Sequence, residues 1–174
     1  MKIISAAAVM AGGKTTVINT LLKKLPHATA LYFDDYDFEN AVEDFYKWTV
    51  EGANYNVWNL EPFEKDILKI KQKNEHEYLL LDYPFAYCHK TIKPYIDTAI
   101  FIDTPLDIAL ARGILRNMKT FSAEEITNWL EHYLKYARAA FVQMQKDILP
   151  SSDYVIDGNK SVDEIVEEII TKVR

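Results

Sequence analysis

A three-layer α/β/α sandwich with a five-stranded parallel sheet is the fold predicted by this 174-residue sequence. Short apolar runs alternate with amphipathic segments along the whole chain, which is the pattern of parallel βαβ units. The first apolar run leads directly into a glycine-containing loop and a helix-forming segment. The length, with 49% hydrophobic residues, suits a soluble domain with its own core, so we expect a single domain over residues 1–174.

Five segments have the length and apolar character of buried strands. Residues 2–8 form the first, and the others are 28–33, 78–81, 98–102 and 153–156. Most are nearly continuous apolar runs, as expected for parallel strands covered by helices on both faces.

The segments between the strands predict helices. Residues 15–25, 41–51 and 61–73 carry the first three. The next helix opens with Thr104 as its cap, Pro105 in its first position and Asp107 in its first turn. Capping boxes at residues 122–125 and 161–164 start a long helix and the last helix. The predicted buried stripe of the long helix is Ile126, Leu130, Leu134, Ala137, Phe141, Met144 and Ile148.

The loop after the first strand nearly matches the phosphate-binding P-loop pattern G-x-x-x-x-G-K-[ST]. Ala8 stands where the pattern has its first glycine, and an alanine forced to a positive φ would cost about 1 kcal/mol. Backbone N–H groups at a helix amino terminus can wrap a phosphate, and we expect Lys14 to reach the β- and γ-phosphates and Thr15 to hold Mg²⁺. The predicted nucleotide-binding residues here are Ala11, Gly12, Gly13, Lys14, Thr15 and Thr16.

Acidic residues follow two of the predicted strands. Asp82 ends the third strand, beside the P-loop strand in such folds, where it can hold Mg²⁺ through water. Asp34 and Asp35 follow the second strand, at the same edge of the sheet. Either carboxylate is a candidate general base for phosphoryl transfer to a hydroxyl.

Two arginines one helical turn apart, Arg112 and Arg116, share a helix face. Together they can offset the charge of a phosphoryl group in transfer.

Charge and composition limit the partners. A net charge of −6 argues against binding along a nucleic-acid backbone, and no apolar run is long enough to cross a bilayer. A single cysteine fits a reducing compartment, so a cytoplasmic location is expected. The histidines lack metal-ligand spacing, which leaves Mg²⁺ delivered with ATP as the expected metal. A small-molecule acceptor is the expected partner, and the chain is expected to be a monomer or homodimer.

With these residues assembled, the chain resembles the uridine kinase and nicotinamide riboside kinase group of P-loop kinases. The order and spacing of the shared motifs carry this resemblance over nearly the whole chain. The motifs are Gly13-Lys14-Thr15-Thr16, Lys24-Leu25-Pro26 leading to Asp34-Asp35, Tyr83-Pro84-Phe85 after the acid at 82, Phe101-Ile102-Asp103-Thr104-Pro105, the segment 112–116, Tyr133-Leu134-Lys135-Tyr136 and Val155-Ile156-Asp157-Gly158.

The resemblance implies transfer of the ATP γ-phosphoryl to a hydroxyl of a nucleoside-like acceptor. It implies Asp34 or Asp35 as the base, since alignment on the shared Leu-Pro favours the first and a D-x-F-Y pattern favours the second. It also implies that the segment 112–122 is a lid over the phosphate site and that the turn at Gly158 and Asn159 lies near the adenine. A nucleotide-binding regulatory protein of the same fold, without transfer activity, is the alternative.

Aromatic residues are dense between residues 36 and 58, where the acceptor pocket should form. We expect one or two of them to line it and the others to belong to the core. The set is Tyr36, Phe38, Phe45, Tyr46, Trp48, Tyr55 and Trp58.

Overall fold

A computed structural model describes residues 1–173 and contains a five-stranded, all-parallel sheet in the order β2-β3-β1-β4-β5. This confirms the predicted fold class. The strands are β1 (Lys2–Ala7), β2 (Ala28–Tyr32), β3 (Tyr78–Asp82), β4 (Thr98–Asp103) and β5 (Tyr154–Asp157). The helices are α1 (Lys14–Lys24), α2 (Phe45–Val50), α3 (Glu61–Lys73), α4 (Leu106–Asn117), α5 (Ala123–His132), α6 (Arg138–Ser151) and α7 (Val162–Val173).

Side chains of β1 alternate between two hydrophobic cores, one on each face of the sheet. Ile4 and Ala6 pack with the apolar faces of α1 and α7. Ile3 and Ala7 pack on the opposite face, in a core rich in aromatic residues that includes buried positions of α3 and α6. The two cores account for the three layers, and the second one supports the candidate acceptor pocket described below.

The strand register brings the predicted functional segments to one edge of the sheet. Ala6, near the end of β1, pairs with Asp82 on β3 and with Ile100 on β4. Tyr32, at the end of β2, also pairs with Asp82. Because the strands are parallel, the P-loop, the segment after β2 and the last residue of β3 emerge side by side.

Helix α2 is shorter than predicted, covering Phe45–Val50 rather than 41–51. Its start is fixed by Asp44, whose side-chain oxygen accepts a hydrogen bond from the Lys47 N–H at 2.8 Å. A capping carboxylate of this kind satisfies one of the free N–H groups of the first turn. The residues before Asp44 lie outside the helix.

The predicted cap at Thr104 is wrong. Pro105 occupies the capping position of α4, and it does so without a side-chain hydrogen bond. The fully buried Thr104 hydroxyl instead donates a hydrogen bond of 2.8 Å to the carbonyl oxygen of Gly12, in the P-loop. The local sequence pattern predicted that this hydroxyl caps the helix, but the hydroxyl is used in a hydrogen bond to a distant part of the chain.

The predicted buried stripe of the long helix is wrong at Leu134, which is 67% exposed. A π-helical turn at Tyr133–Ala137 lies between α5 and α6 and inserts one extra residue into the turn. At this turn Tyr133 is buried and Leu134 is not.

No helix within residues 1–173 combines the length and the apolar character needed to span a membrane.

Candidate active site

The P-loop has the backbone that phosphate binding requires. Gly13 caps α1 with a φ of 100°, in the left-handed region that favours glycine. A Cβ placed on Gly12 would lie 2.9 Å from both the Ala8 Cβ and the Val9 carbonyl oxygen, so only glycine fits there. The loop lines a cavity of about 580 Å³, and all six predicted phosphate-binding residues, 11–16, are part of the lining.

The concern about Ala8 is wrong, because Ala8 is not among the residues with a positive φ. The strained alanine is Ala11, whose φ is 56°. Ala8 is buried, and its methyl group packs under Gly12. The missing first glycine therefore costs the loop little, while the left-handed backbone at Ala11 costs about 1–2 kcal/mol.

We expect the glycine substitutions at these two positions to act in opposite directions. Ala11→Gly should raise the free energy of unfolding by about 0.5–1 kcal/mol, since it relieves a left-handed alanine. Ala8→Gly should lower it by about 1 kcal/mol, since it removes a buried methyl group and adds chain entropy. Urea denaturation of both variants measures this. A stabilised Ala8→Gly would contradict the assignment of strain to Ala11.

Lys14 and Asp82 form an ion pair at the base of the loop. Asp82 is 2% exposed, so its carboxylate depends on this partner. Burial lowers the pKa of the Lys14 ammonium to about 8, and the nearby negative charge of Asp34 opposes part of that shift. Contact with Asp82 favours the charged lysine in the same way, so we regard Lys14 as a cation at neutral pH.

The structure separates the two candidate bases. Asp34 lines the cavity formed by the P-loop, and its charge acts on Lys14. Asp35 does not line that cavity, and its charge helps to raise the pKa of Tyr32 and Tyr36, although burial is the larger cause. Both aspartates lie in a short 3₁₀ turn, Phe33–Asp35, which directs them differently.

Arg112 and Arg116 also line the cavity, from α4. Arg112 donates a hydrogen bond of 3.4 Å to the Gly158 carbonyl oxygen, and Arg116 donates one of 3.0 Å to the Asn117 side chain. Both side chains are exposed and have room to reach a phosphate. Between them, buried Gly113 faces the P-loop, where an added Cβ would lie 3.5 Å from the Ala11 Cβ.

The turn after β5 and the start of α7 line another part of the cavity. Gly158 belongs to this lining, but Asn159 does not, and its side-chain amide donates to Asp157 at 2.9 Å. Three further lining residues were not predicted from the sequence: Lys160, Val162 and Ile165. Their position one to six residues beyond the predicted turn is the signal that could have found them.

A second, apolar pocket of about 330 Å³ adjoins the phosphate cavity and shares part of its wall. Four aromatic residues of the segment 36–58 line it, rather than the one or two expected. They are Phe45, Trp48, Tyr55 and Trp58. The rest of the lining was missed: Met10, Phe85, Trp129, His132, Tyr133, Ala137, Ala140, Phe141 and Met144. We call this space the aromatic pocket.

His89 supports Trp58 from behind the aromatic pocket. Its Nδ1 accepts a hydrogen bond of 3.2 Å from the Thr91 N–H, so Nε2 carries the proton and donates to the Trp58 carbonyl oxygen at 3.1 Å. The ring is 1% exposed, and burial, helped by the charge of Lys90, lowers the pKa of His89. His89 is therefore held neutral in the folded protein.

Acidification should destabilise the protein through His89. Because the folded-state pKa lies below the unfolded value of about 6.5, the unfolded chain gains the proton first, and stability falls as the pH drops from about 7.5 to 5.5. We expect His89→Gln to show a smaller fall in Tm over this range than the wild type. The exposed His27→Gln variant is the control and should behave like the wild type. Equal falls in all three would contradict the role of His89.

Curated relatives of the chain are uridine kinases at low identity. The uridine kinase of Schizosaccharomyces pombe is 22% identical over 203 residues, covering 100% of this chain and 44% of that protein. The uridine kinase of Staphylococcus haemolyticus is 24% identical, covering 99% of this chain and 95% of that protein. The chain thus spans less than half of the first relative but nearly all of the bacterial one. No protein-family model matches the chain. The predicted resemblance to uridine kinases is confirmed.

Solved structures with the same fold are kinases of small molecules. A structure described as a possible uridine kinase from Bacillus stearothermophilus aligns with a TM-score of 0.54 at 15% identity, covering 90% of this chain and 88% of that one. Deoxyadenosine kinase from M. mycoides aligns with a TM-score of 0.51 at 15% identity, covering 98% of both chains. The fold of this protein is therefore that of the P-loop kinases.

Proposed function

We propose that this protein is an ATP-dependent kinase that transfers the γ-phosphoryl group to a hydroxyl of a small, nucleoside-like molecule. The observation that carries the proposal is the cavity that joins the P-loop, Asp34 and two arginines and shares part of its wall with the aromatic pocket. A phosphate donor and a hydroxyl acceptor can therefore lie end to end. The similarity to named kinases over the whole chain supports a phosphotransferase.

The residues present fit ATP and Mg²⁺. The P-loop folds tightly on itself at Gly12, where a Cβ would meet Ala8 and Val9, and the space beside Gly13 at the start of α1 is open. Gly158, Val162 and Ile165 form the part of the cavity where the adenine would lie. Thr15 and Asp82 supply the oxygen ligands that would hold Mg²⁺, directly or through water. When bound, Mg²⁺ neutralises charge on the phosphates.

The side chains divide the work of transfer among them. Asp34 accepts the proton of the acceptor hydroxyl. As it does so, the hydroxyl oxygen bonds to the γ-phosphorus, and the bond between the γ-phosphorus and the oxygen that leaves with ADP breaks. Lys14 stabilises the negative charge on the phosphates, and Arg112 and Arg116 offset the charge on the transferred group. We propose the segment 112–122, which carries both arginines, as the lid over this site.

Formation of a phosphorylated product is the direct test. The protein is incubated with γ-labelled ATP and a panel of nucleosides, sugars and vitamins, and labelled products are separated and identified by mass spectrometry. We expect transfer to at least one hydroxyl compound, lost in Lys14→Ala. Tight ATP binding by calorimetry with no acceptor found, and no effect of Asp34→Asn on any activity, would favour the regulatory alternative. Transfer that survives Lys14→Ala would place the activity elsewhere.

A further inference from the structure

The walls of the aromatic pocket are made of rings. All three tryptophans of the chain line it, together with two tyrosines and three phenylalanines. Neighbouring rings pack edge to face or in offset stacks. Trp48 and Trp58 have centroids 5.6 Å apart at 80°, and Trp129 and Tyr133 have centroids 5.7 Å apart at 18°. Such a wall offers ring faces and edges to another flat ring.

Two polar groups of the lining residues are committed to the protein. The Tyr55 hydroxyl donates to the Asp147 carboxylate at 3.1 Å, and the Trp48 indole N–H donates to the Asn54 carbonyl oxygen at 3.0 Å. Gln143 donates to both oxygens of the same Asp147 carboxylate, at 3.0 and 2.9 Å. These bonds hold two of the rings in place and leave their faces free.

Charged side chains are missing from this lining as the structure describes it. The lining contains no aspartate, glutamate, lysine or arginine, and His132 is its one histidine. A buried hydroxyl or carboxylate without a partner costs several kcal/mol, so a polyhydroxylated or acidic group is disfavoured here. The pocket therefore selects against a sugar or an acid at this end of the acceptor.

The π-helical turn contributes two residues to the pocket, Tyr133 and Ala137. Tyr133 is buried at this turn, whereas Leu134, which the sequence pattern placed in the buried stripe, is 67% exposed. The pocket wall therefore carries a ring at this position. Single-turn π-bulges are frequent at functional sites for this kind of reason.

We propose that the aromatic pocket binds a flat, weakly polar aromatic ring of the phosphoryl acceptor by ring packing. The hydroxyl-bearing arm of the acceptor lies along the wall shared with the phosphate cavity and reaches toward Asp34. This shared wall is Met10, Phe45, Trp58, Phe85, Phe141 and Met144. A volume of about 330 Å³ suits one ring or a fused pair. The role given to the hydroxyl-bearing arm rests on the proposed kinase function. The binding of the ring does not depend on that function.

Binding of the ring is tested with three small alcohols that share a hydroxymethyl group: benzyl alcohol, cyclohexylmethanol and glycerol. Saturation-transfer NMR on the full chain measures binding, and tryptophan emission gives a second readout because all three tryptophans line the pocket. We expect benzyl alcohol to bind, cyclohexylmethanol to bind more weakly, and glycerol not to bind. Equal binding of the first two, or preferential binding of glycerol, would overturn the proposal.

Neighbouring residues on α2 give a matched pair of variants. Phe45, 45% exposed, lines the pocket, while Tyr46, 44% exposed, does not. We expect Phe45→Ala to weaken benzyl alcohol binding about three- to tenfold and Tyr46→Ala to leave it unchanged. Phe45→Leu, which keeps the volume without the ring, should fall between them and serves if the alanine variant is unstable. Equal effects at both positions would refute ring packing at Phe45.

Two ribosides with the same 5′-hydroxyl test the link to catalysis. Benzimidazole riboside carries a weakly polar ring, and uridine carries a ring with polar edges. We expect a higher kcat/KM for benzimidazole riboside, by about tenfold, and a preference for uridine would overturn the inference. ATP binding, measured on the same samples, separates the two proposals. A protein that binds benzyl alcohol but does not bind ATP would refute the kinase function without refuting the ring site.

Discussion

Replacing Lys14 by methionine is expected to reduce phosphoryl transfer by at least about 10²–10³-fold, because the loss removes a preorganised positive charge from the phosphates. The same change should lower the free energy of unfolding by about 3–5 kcal/mol, since it leaves the Asp82 carboxylate buried without its partner. Methionine approximates the length of lysine, so the lost charge dominates both effects. Initial rates and urea denaturation measure the two consequences separately.

The double variant Lys14→Met/Asp82→Asn separates the structural role of the pair from the catalytic one. With both charges removed, most of the lost stability should return, while transfer stays abolished. A double variant as unstable as Lys14→Met alone would show that the ion pair does not account for the destabilisation. Recovery of transfer in the double variant would remove Lys14 from the proposed phosphate site.

Asp34→Asn is expected to lower kcat by about 10²–10⁴-fold, and Asp35→Asn to change it by no more than a few-fold. Only Asp34 lines the cavity that holds the P-loop, so only its carboxylate can take the proton of a hydroxyl bound there. Asparagine keeps the shape of the side chain and removes its capacity as a base. Steady-state kinetics with an acceptor found in the panel of nucleosides, sugars and vitamins provides the measurement.

Calorimetry of ATP binding is the control for both aspartate variants. Binding should be retained in each, because neither carboxylate belongs to the P-loop backbone. A larger loss of kcat in Asp35→Asn than in Asp34→Asn would reverse the assignment of the base. Equal and small losses would mean that neither aspartate accepts the proton.

The sheet and the phosphate loop could be predicted from the sequence because their signals are local. Parallel strands buried on both faces are short apolar runs, and the run of residues 2–8 is followed at once by the loop and helix that it supports. The strand-end position of Asp82 is equally local, since it follows from where the apolar run 78–81 stops. The start of helix α2 was misjudged by a few residues, within a segment where Asp44 caps the helix.

The features that could not be predicted from the sequence depend on contacts between distant parts of the chain. The choice between Asp34 and Asp35 is set by a 3₁₀ turn that directs adjacent carboxylates to different surroundings. The aromatic pocket combines rings from the segment 45–58 with rings from 129–141, and no periodicity within either segment reports that they meet. The π turn changes the helical phase where the sequence retains a regular apolar spacing, so the exposure of Leu134 could not be predicted from that spacing.

Thr104 has a consequence beyond its single hydrogen bond. Its hydroxyl holds the Gly12 carbonyl, and its backbone lies so close to Gly158 that a Cβ there would be 2.8 Å from the Thr104 nitrogen and Cα. One buried residue thus ties the P-loop to the turn after β5. The spacing between these two parts of the proposed nucleotide site is set before any ligand arrives, which would reduce the entropy lost on binding.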